Sequence, residues 1–452
     1  MRHPSLAAGL VLALPLAAPA ADWPQFMGPS RDAVWAEAGI LKTFPEGGPK
    51  VLWRVPVGGG YAGPAVAGGK VYVADKVLKP GAADPKDPFS GGKAKTPAAE
   101  RVLCLDAKTG KELWKHQYDV TYQVQYPSGP RCTPLVHEGK VYHLGAMGDL
   151  HKLDAATGKV EWGKNLPKDC GAAVPVWGFA GHPLAYKNLL ICLVGGEAGV
   201  VRAFDRDTGK EVWAALTASE PGYNSPTLIE AGGTTQLAVW TAKELAGLNP
   251  DTGAVYWSVP LEPSYGMSIM VPRRAGDLLY AGGIGNVGVA VQLDPAKPAV
   301  TEVWRHKPAP TAKAGLYPIN MTPFAEGGVL YGADQPGVFR AVEAATGKRL
   351  WETFRPVFGE EKPEDFKGGS SGTAFVVKNA DRYFIFNEVG ELIVARLTPQ
   401  GYDELGKAKL LDPTTPAGVA KRQVVWSHPA FADRCVFARN DKEIVCASLA
   451  EE

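Results

Sequence analysis

Residues 106–114 read D-A-K-T-G-K-E-L-W, and the chain returns to that phrase again and again. Residues 154–162 and 205–213 repeat it. Residues 249–257 and 343–351 carry it with Asn249 or Glu343 in place of the leading Asp. In all five copies a Gly follows the first residue by four and precedes a Trp by four. Trp114, Trp162, Trp213, Trp257, Trp304 and Trp351 stand 48, 51, 44, 47 and 47 residues apart. Repeats of that length, with period-two alternation between them, mark a β-propeller: one small sheet cannot bury both faces alone and must stack on the next.

The phrase has a chemical logic. Asp or Asn at a strand end accepts hydrogen bonds from the turn backbone ahead of it, and Thr adds its hydroxyl. Gly supplies the positive φ of a tight reversal. The next strand starts at once and carries the Trp, whose ring is expected to bury against the neighbouring sheet and satisfy its N–H there.

At 452 residues the chain is longer than one ordinary domain, yet closed repeat folds run this long as single units. A net charge of +1 presents no basic face to nucleic acid. Residues 1–20 differ from the rest: Arg2 and His3, an apolar run from Leu6 to Leu16, then Ala18-Pro19-Ala20. This is the pattern of a cleaved secretory signal, too short to span a membrane. The expected organisation is a signal at 1–20, an arm at 21–50 and a propeller at 51–452, in a periplasmic or secreted monomer with no later membrane span.

Each unit is expected to hold four strands: one with a Pro, one like Val71-Tyr72-Val73, one ending at the Asp and one carrying the Trp. Units fall at about 61–118, 128–166, 175–217, 223–261, 266–307, 316–354 and 368–411. The eighth begins at Val424 with strands 424–430, 434–438 and 443–448, and then the chain ends. Residues 51–57, with Trp53, can supply its fourth strand. Closure by one strand from each terminus removes the free edges and makes an all-β, eight-bladed propeller. The fifth unit lacks Thr-Gly, with Asp294 ten residues before Trp304, and the seventh has Leu405 where Trp belongs. Two insertions, 76–100 and 355–369, read as exposed loops.

The repeats resemble the pyrroloquinoline-quinone-like (quinoprotein-like) propeller repeat, A-x-D-x-x-T-G-x-x-x-W, over nearly all of the chain after residue 20. The resemblance implies that Trp53, Trp114, Trp162, Trp213, Trp257, Trp304 and Trp351 dock one blade onto the next. The opening W-P-Q-F-M-G-P at 23–29 resembles the W-P-x-F-R-G-P of exported propeller proteins from planctomycete-like bacteria, with Met27 for the Arg, as does Trp426-Ser427-His428-Pro429. A more distant likeness is to BamB-type outer-membrane assembly lipoproteins, which are scaffolds. The family also holds quinoprotein alcohol dehydrogenases, which grip the quinone between a Trp and a vicinal disulfide above calcium. The six Cys here, at 104, 132, 170, 192, 435 and 446, include no adjacent pair, and no Cys-x-x-Cys-His occurs. No quinone-binding residue carries over.

The first strand of each blade should line the central channel. Pro64, Pro134, Pro183, Pro226, Pro272, Pro323 and Pro429 mark it. Just before them stand Tyr61, Arg131, His182, Asn224, Ser268, Asn320 and His428, with Ser370 and Ser371 before the strand of blade seven. Trp177, Tyr223 and Trp426 lie close by. Polar and aromatic groups converging there would form a ligand pocket, or else satisfy inner-strand backbone and water. The set offers Arg131 as a cation and no carboxylate.

Other signals are weaker. G-I-G-N-V-G at 283–288 falls between two strands, so it reads as a hairpin and not as a phosphate loop. His143 and His151 fall on adjacent strands, but no further metal ligand is evident. A two-residue turn at Asn440-Asp441 would set Cys435 opposite Cys446, within reach of a disulfide in an exported protein; two buried free thiols are the competing expectation. The sequence thus points to an exported, non-catalytic binding or scaffold protein with a protein, small-molecule or glycan partner and no cofactor. A periplasmic oxidoreductase using pyrroloquinoline quinone and calcium is the alternative from another class. A third is a glycan binder stacking sugars on Trp177, Tyr223 and Trp426.

Overall fold

A computed structural model describes residues 21–196, 198–306, 314–359, 361, 371–418 and 422–451. The signal segment 1–20, Ser370 and most of the 355–369 link lie outside these. The described chain is an eight-bladed β-propeller of four-stranded antiparallel sheets, with one added two-stranded hairpin. Blade one shows the plan: Ala65–Ala67 innermost, then Lys70–Leu78, Thr96–Asp106 and Glu112–Tyr122 at the rim. The fourth strand of blade eight is Val51–Pro56, which pairs with Glu443–Ser448 and sets Trp53 opposite Cys446. One strand from the N-terminal side therefore closes the ring.

The repeated phrase builds what its chemistry requires. The Asp106 carboxylate accepts from the Lys108 and Thr109 backbone N–H groups at 3.1 and 2.9 Å and from the Thr109 hydroxyl at 2.8 Å. Asp154 and Asp205 do the same. In four blades the indole N–H then reaches the next blade, where it meets the carbonyl just after that acid. Trp53 donates to Ala107, Trp114 to Ala155, Trp162 to Arg206 and Trp304 to Ala344, at 2.9 to 3.2 Å. The turn Gly has a second duty besides its φ. A Cβ on Gly158 would lie 2.4 Å from the Trp114 ring, and Gly110, Gly209, Gly253 and Gly347 meet Trp53, Trp162, Trp213 and Trp304 in the same way.

Departures have local causes. Blades four and five carry Pro250 and Pro295 after the acid position. Trp257 turns instead to the Gln236 side chain at 2.7 Å, and the Trp213 N–H has no partner among the described residues. In blade seven the turn acid is replaced by Thr398, whose hydroxyl accepts from the Gln400 and Gly401 N–H groups while its carbonyl receives Trp351.

Four expectations need correction. The Pro residues do not lie in the first strands. They stand one residue ahead of them, as at Pro64 before Ala65–Ala67 and Pro429 before Ala430–Ala432, because a residue without an N–H ends a loop well and pairs in a ladder badly. Blade eight starts at Ala430, and Arg422–Val424 belongs to the separate hairpin with Thr415–Ala417. Residues 76–100 are not one solvated loop. They lengthen the second and third strands, and only 79–95 turns between them, held by the Tyr126 N–H on the Pro88 carbonyl and by Lys76 on Asp84 at 2.6 Å. Lastly, the closing loop spans 440–443, so Cys435 faces Ser448 and Cys446 faces Phe437. The cysteines are diagonal neighbours on one hairpin, their thiols hydrogen-bond each other, and both are free thiols.

Candidate functional site

The inner strands leave an axial channel with two dissimilar ends. One lies among the short turns joining first and second strands. The other lies among the inter-blade loops that precede the inner strands. The arm occupies the turn side. Trp23 exchanges backbone hydrogen bonds with Val66 at 2.8 and 2.9 Å, Val136 donates to Pro24, and Lys378 pairs with Ala33 and Trp35. Trp23, Phe26, Met27, Trp35 and Ile40 are buried, each side chain worth about 1.5–3 kcal/mol of apolar burial. That burial holds Met27, Arg31 and Ala33 at φ of 60°, 55° and 61°, a strained region for residues with a Cβ.

The arm drives two groups into the axis. Phe26 stacks on the His182 ring at 3.9 Å and meets His428 edge-on at 4.7 Å, while Phe375 covers His428 at 3.8 Å. Arg31 is buried and donates to the carbonyls of Pro226 at 2.8 Å, His182 at 3.3 Å and Pro183. Arg273 in turn donates to the Arg31 and Asp32 carbonyls at 3.2 and 3.0 Å. Burial lowers Arg31 to about 9 and Arg273 to about 10. Burial also lowers His428 to about 3 and holds His182 well below its usual range, with Arg31 and His428 adding to the effect on His182. Both imidazoles are neutral plug contacts and not a cationic mouth.

Three more of the predicted residues are buried. Asn224 is buried, donating to the Met270 carbonyl at 2.8 Å and accepting from the Trp240 N–H at 3.1 Å. It clamps blade four to blade five. Ser268 and Tyr223 are buried beside it, Tyr223 edge-on to Trp177 at 5.7 Å.

Tyr61, Arg131, Trp177, Asn320 and Trp426 are half-buried at the loop side. Arg131 is not a free cation. It donates to the carbonyls of Trp177 at 2.8 Å, Gln125 at 3.0 Å, Tyr126 at 2.6 Å and Gly129, with its guanidinium 5.1 Å over the Tyr61 ring. A carboxylate does stand at this mouth, contrary to the expectation of none. Glu388 is buried and receives Arg422 at 2.9 and 3.1 Å, the Thr373 N–H at 3.0 Å and the Trp426 indole at 3.4 Å. Burial pushes its carboxyl pKa above the usual range, and Arg422 opposes the shift. Phe89, Tyr126 and Trp426 form an aromatic file, with ring separations of 5.0 and 5.9 Å.

Glu388 belongs to a pattern that sequence reasoning missed. Asp334 and Glu388 stand just past the end of a second strand and Asp75 near the end of the lengthened second strand of blade one; each pairs with an Arg and accepts the backbone N–H of the preceding inter-blade loop at Gly58, Tyr317 or Thr373. An acidic residue recurring at that strand end was the available signal. Among the described residues no three His, Cys, Asp or Glu side chains gather to hold a metal.

Comparison with known proteins follows from this geometry. Residues 98–353 match the family model PQQ_2, described as outer membrane protein assembly factor BamB. The chain is 27% identical over 316 residues to the quinohemoprotein alcohol dehydrogenase ADH-IIG of Pseudomonas putida, covering 59% of this chain and 41% of that protein. It is 25% identical over 246 residues to the outer membrane protein assembly factor BamB of Shewanella oneidensis, covering 51% and 58%. It thus spans less than two thirds of either relative. Among solved structures, the quinohemoprotein alcohol dehydrogenase of Comamonas testosteroni superposes with a TM-score of 0.58 at 16% identity, covering 95% of this chain and 81% of that one. That likeness is one of fold.

Proposed function

The chain belongs to the family of the outer membrane protein assembly factor BamB, and from that premise we propose that it is an exported, non-catalytic binding protein that engages a protein partner through the loop side of its propeller. One observation carries the reading. The arm closes the turn side of the channel with Phe26 and Arg31, so aromatic and polar groups remain accessible on the loop side. Tyr265, three-quarters exposed at a left-handed φ of 59°, and Val176 extend that surface. The BamB relative is, by its name, an assembly factor, which supports a protein partner. Export rests on the pattern of residues 1–20, and a place among propellers of planctomycete-like bacteria rests on the W-P-Q-F-M-G-P opening. No described helix is long and apolar enough to cross a membrane.

The quinone-dependent alternative is favoured by the match to a quinohemoprotein alcohol dehydrogenase. The residues present do not fit the cofactor. A quinone needs cations for its carboxylates and a metal held by free oxygen ligands. Here Arg131 is taken up by carbonyls and Glu388 by Arg422. The glycan reading keeps Trp177 and Trp426 as half-buried rings but loses Tyr223, which is buried.

Photo-crosslinkers placed at Trp177 and Tyr265, with Lys348 on the turn side as control, test the proposal in cells. Adducts with one envelope protein from the loop-side positions alone support it; equal capture from all three, or none, overturns it. Dye-linked alcohol oxidation that depends on added pyrroloquinoline quinone and calcium would promote the alternative.

A further inference from the structure

The chain has eight histidines, and three of them meet in the cleft between blades one and two. The rim strand Glu112–Tyr122 turns Trp114, His116, Tyr118 and Tyr122 toward blade two, as alternation along a strand requires. Blade two answers with His143 and His151, which are cross-strand partners. Deep in the cleft, the buried Glu100 carboxylate accepts from the hydroxyls of Tyr118 and Tyr122 and from the Ala146 N–H at 3.1 Å. His143 Nε2 lies 3.0 Å from the Tyr118 hydroxyl and 3.5 Å from Glu100, and its buried Nδ1 has no hydrogen-bond partner among the described residues. Nearer the rim, His116 Nε2 and His151 Nδ1 are hydrogen-bonded to each other at 3.2 Å, one ring donating to the other, both half-buried.

We propose that His116 and His151 form a two-imidazole site for a borderline divalent metal such as zinc or copper(II), with water completing the coordination. The geometry points there. Two imidazoles at 2.0–2.1 Å from a tetrahedral ion stand about 3.3 Å apart, nitrogen to nitrogen. Imidazole pairs select this class of ion over calcium or magnesium. Burial, with His143 contributing to both and His116 to His151, lowers both rings, His151 to about 3, so both are neutral at neutral pH, and the ion would displace the proton of their hydrogen bond. Glu100 lies behind the site. Burial opposes its charge, but His143 and the two tyrosines hold its carboxyl below the usual range, so it favours a nearby cation. Gly163 completes the arrangement, because a Cβ there would lie 2.8 Å from His151 Cδ2. Only a bare backbone at that rim position leaves the ring in place.

The test is calorimetric titration of tag-free purified protein with zinc and with copper(II). One equivalent is expected to bind, at least about tenfold more weakly, about 1.4 kcal/mol, in His116→Ala or in His151→Ala, and unchanged in His137→Ala. Gly163→Ala keeps both ligands and should also weaken binding, which covers the case of a histidine variant that misfolds. Electron paramagnetic resonance of the copper form should show coupling to two imidazole nitrogens. No binding, or binding indifferent to His116, His151 and Gly163, overturns the proposal.

Discussion

The indole N–H of Trp53 donates to the carbonyl oxygen of Ala107 at 2.9 Å, although 54 residues separate them. Trp53 stands on the strand that completes blade eight, and Ala107 on the turn of blade one. The contact that joins blade one to two, two to three, five to six and six to seven by one repeat here joins the last blade to the first. Closure therefore adds no new chemistry. The chain permutes one strand and applies the ordinary docking contact.

Docking predicts a difference between two glycines of blade two. Gly158 and Gly139 have φ of 73° and 70°, but a Cβ on Gly158 meets the Trp114 ring at 2.4 Å and a Cβ on Gly139 meets nothing within 4 Å. Gly139→Ala should cost about 1 kcal/mol, the backbone term alone. Gly158→Ala should cost about 1–3 kcal/mol more, for overpacking. Chemical denaturation of the two variants checks this, and equal losses would show that the ring gives way freely.

Removing residues 21–57 should do more than shorten the chain. It takes away the rim strand of blade eight, the Trp53 contact and the buried Trp23, Phe26 and Trp35. The exposed edge of Glu443–Ser448 should then pair between molecules. Light scattering and thermal melting read the outcome; a monomer with unchanged melting would contradict closure.

The fold was legible because its determinants are local. Asp106, Thr109, Gly110 and Trp114 act within nine residues, and the period is set by copies of them. The site was less legible because its partners are distant in sequence. Nothing near His182 or His428 announces that Phe26 will fill the space between them. Arg131 looked like a free cation because backbone carbonyls leave no trace in a sequence. Glu388 went unread because its meaning depends on Arg422 and Thr373. The cysteine register missed by two residues of loop length, both on the C-terminal side of the turn, enough to move Cys435 from Cys446 to Ser448.

That register makes a prediction of its own. Cys435 and Cys446 should both be alkylated in denaturant without reductant, in protein purified from an oxidising compartment. Mass spectrometry decides it. A tryptic fragment pair linked through these two sulfurs would contradict it.

The plug should make stability fall with acid. His182 and His428 are neutral when folded and take up a proton when unfolded, where the ordinary range is near 6.5. Their surroundings are Phe26 and Arg31 from the arm, Ser225, and Phe375, with no carboxylate among the described contacts. The unfolded chain therefore binds more protons below pH 6.5, and stability rises with pH there. The loss should reach up to about 2 kcal/mol per histidine by pH 5. Melting between pH 7.5 and 5 should show it, and His428→Phe should flatten the slope. A slope unchanged by that variant would place the titrating groups elsewhere.

Arg131 should prove irreplaceable by lysine. Its guanidinium donates to carbonyls of residues 125, 126, 129 and 177, so one planar group fixes the loop of blade two against that of blade three. An ammonium has the charge but not the fork, and cannot point at four oxygens in one plane. Arg131→Lys should cost about 2–4 kcal/mol, since bonds from a charged donor are the stronger kind and buried carbonyls would be left unpaired. The damage should also be local. Hydrogen exchange should quicken at 123–131 and around Trp177, while blades five to seven keep their protection. If Arg131 instead served as an anion holder with its loop fixed by other contacts, Arg131→Lys would leave exchange and melting unchanged, and the loop-side surface would regain a free cation.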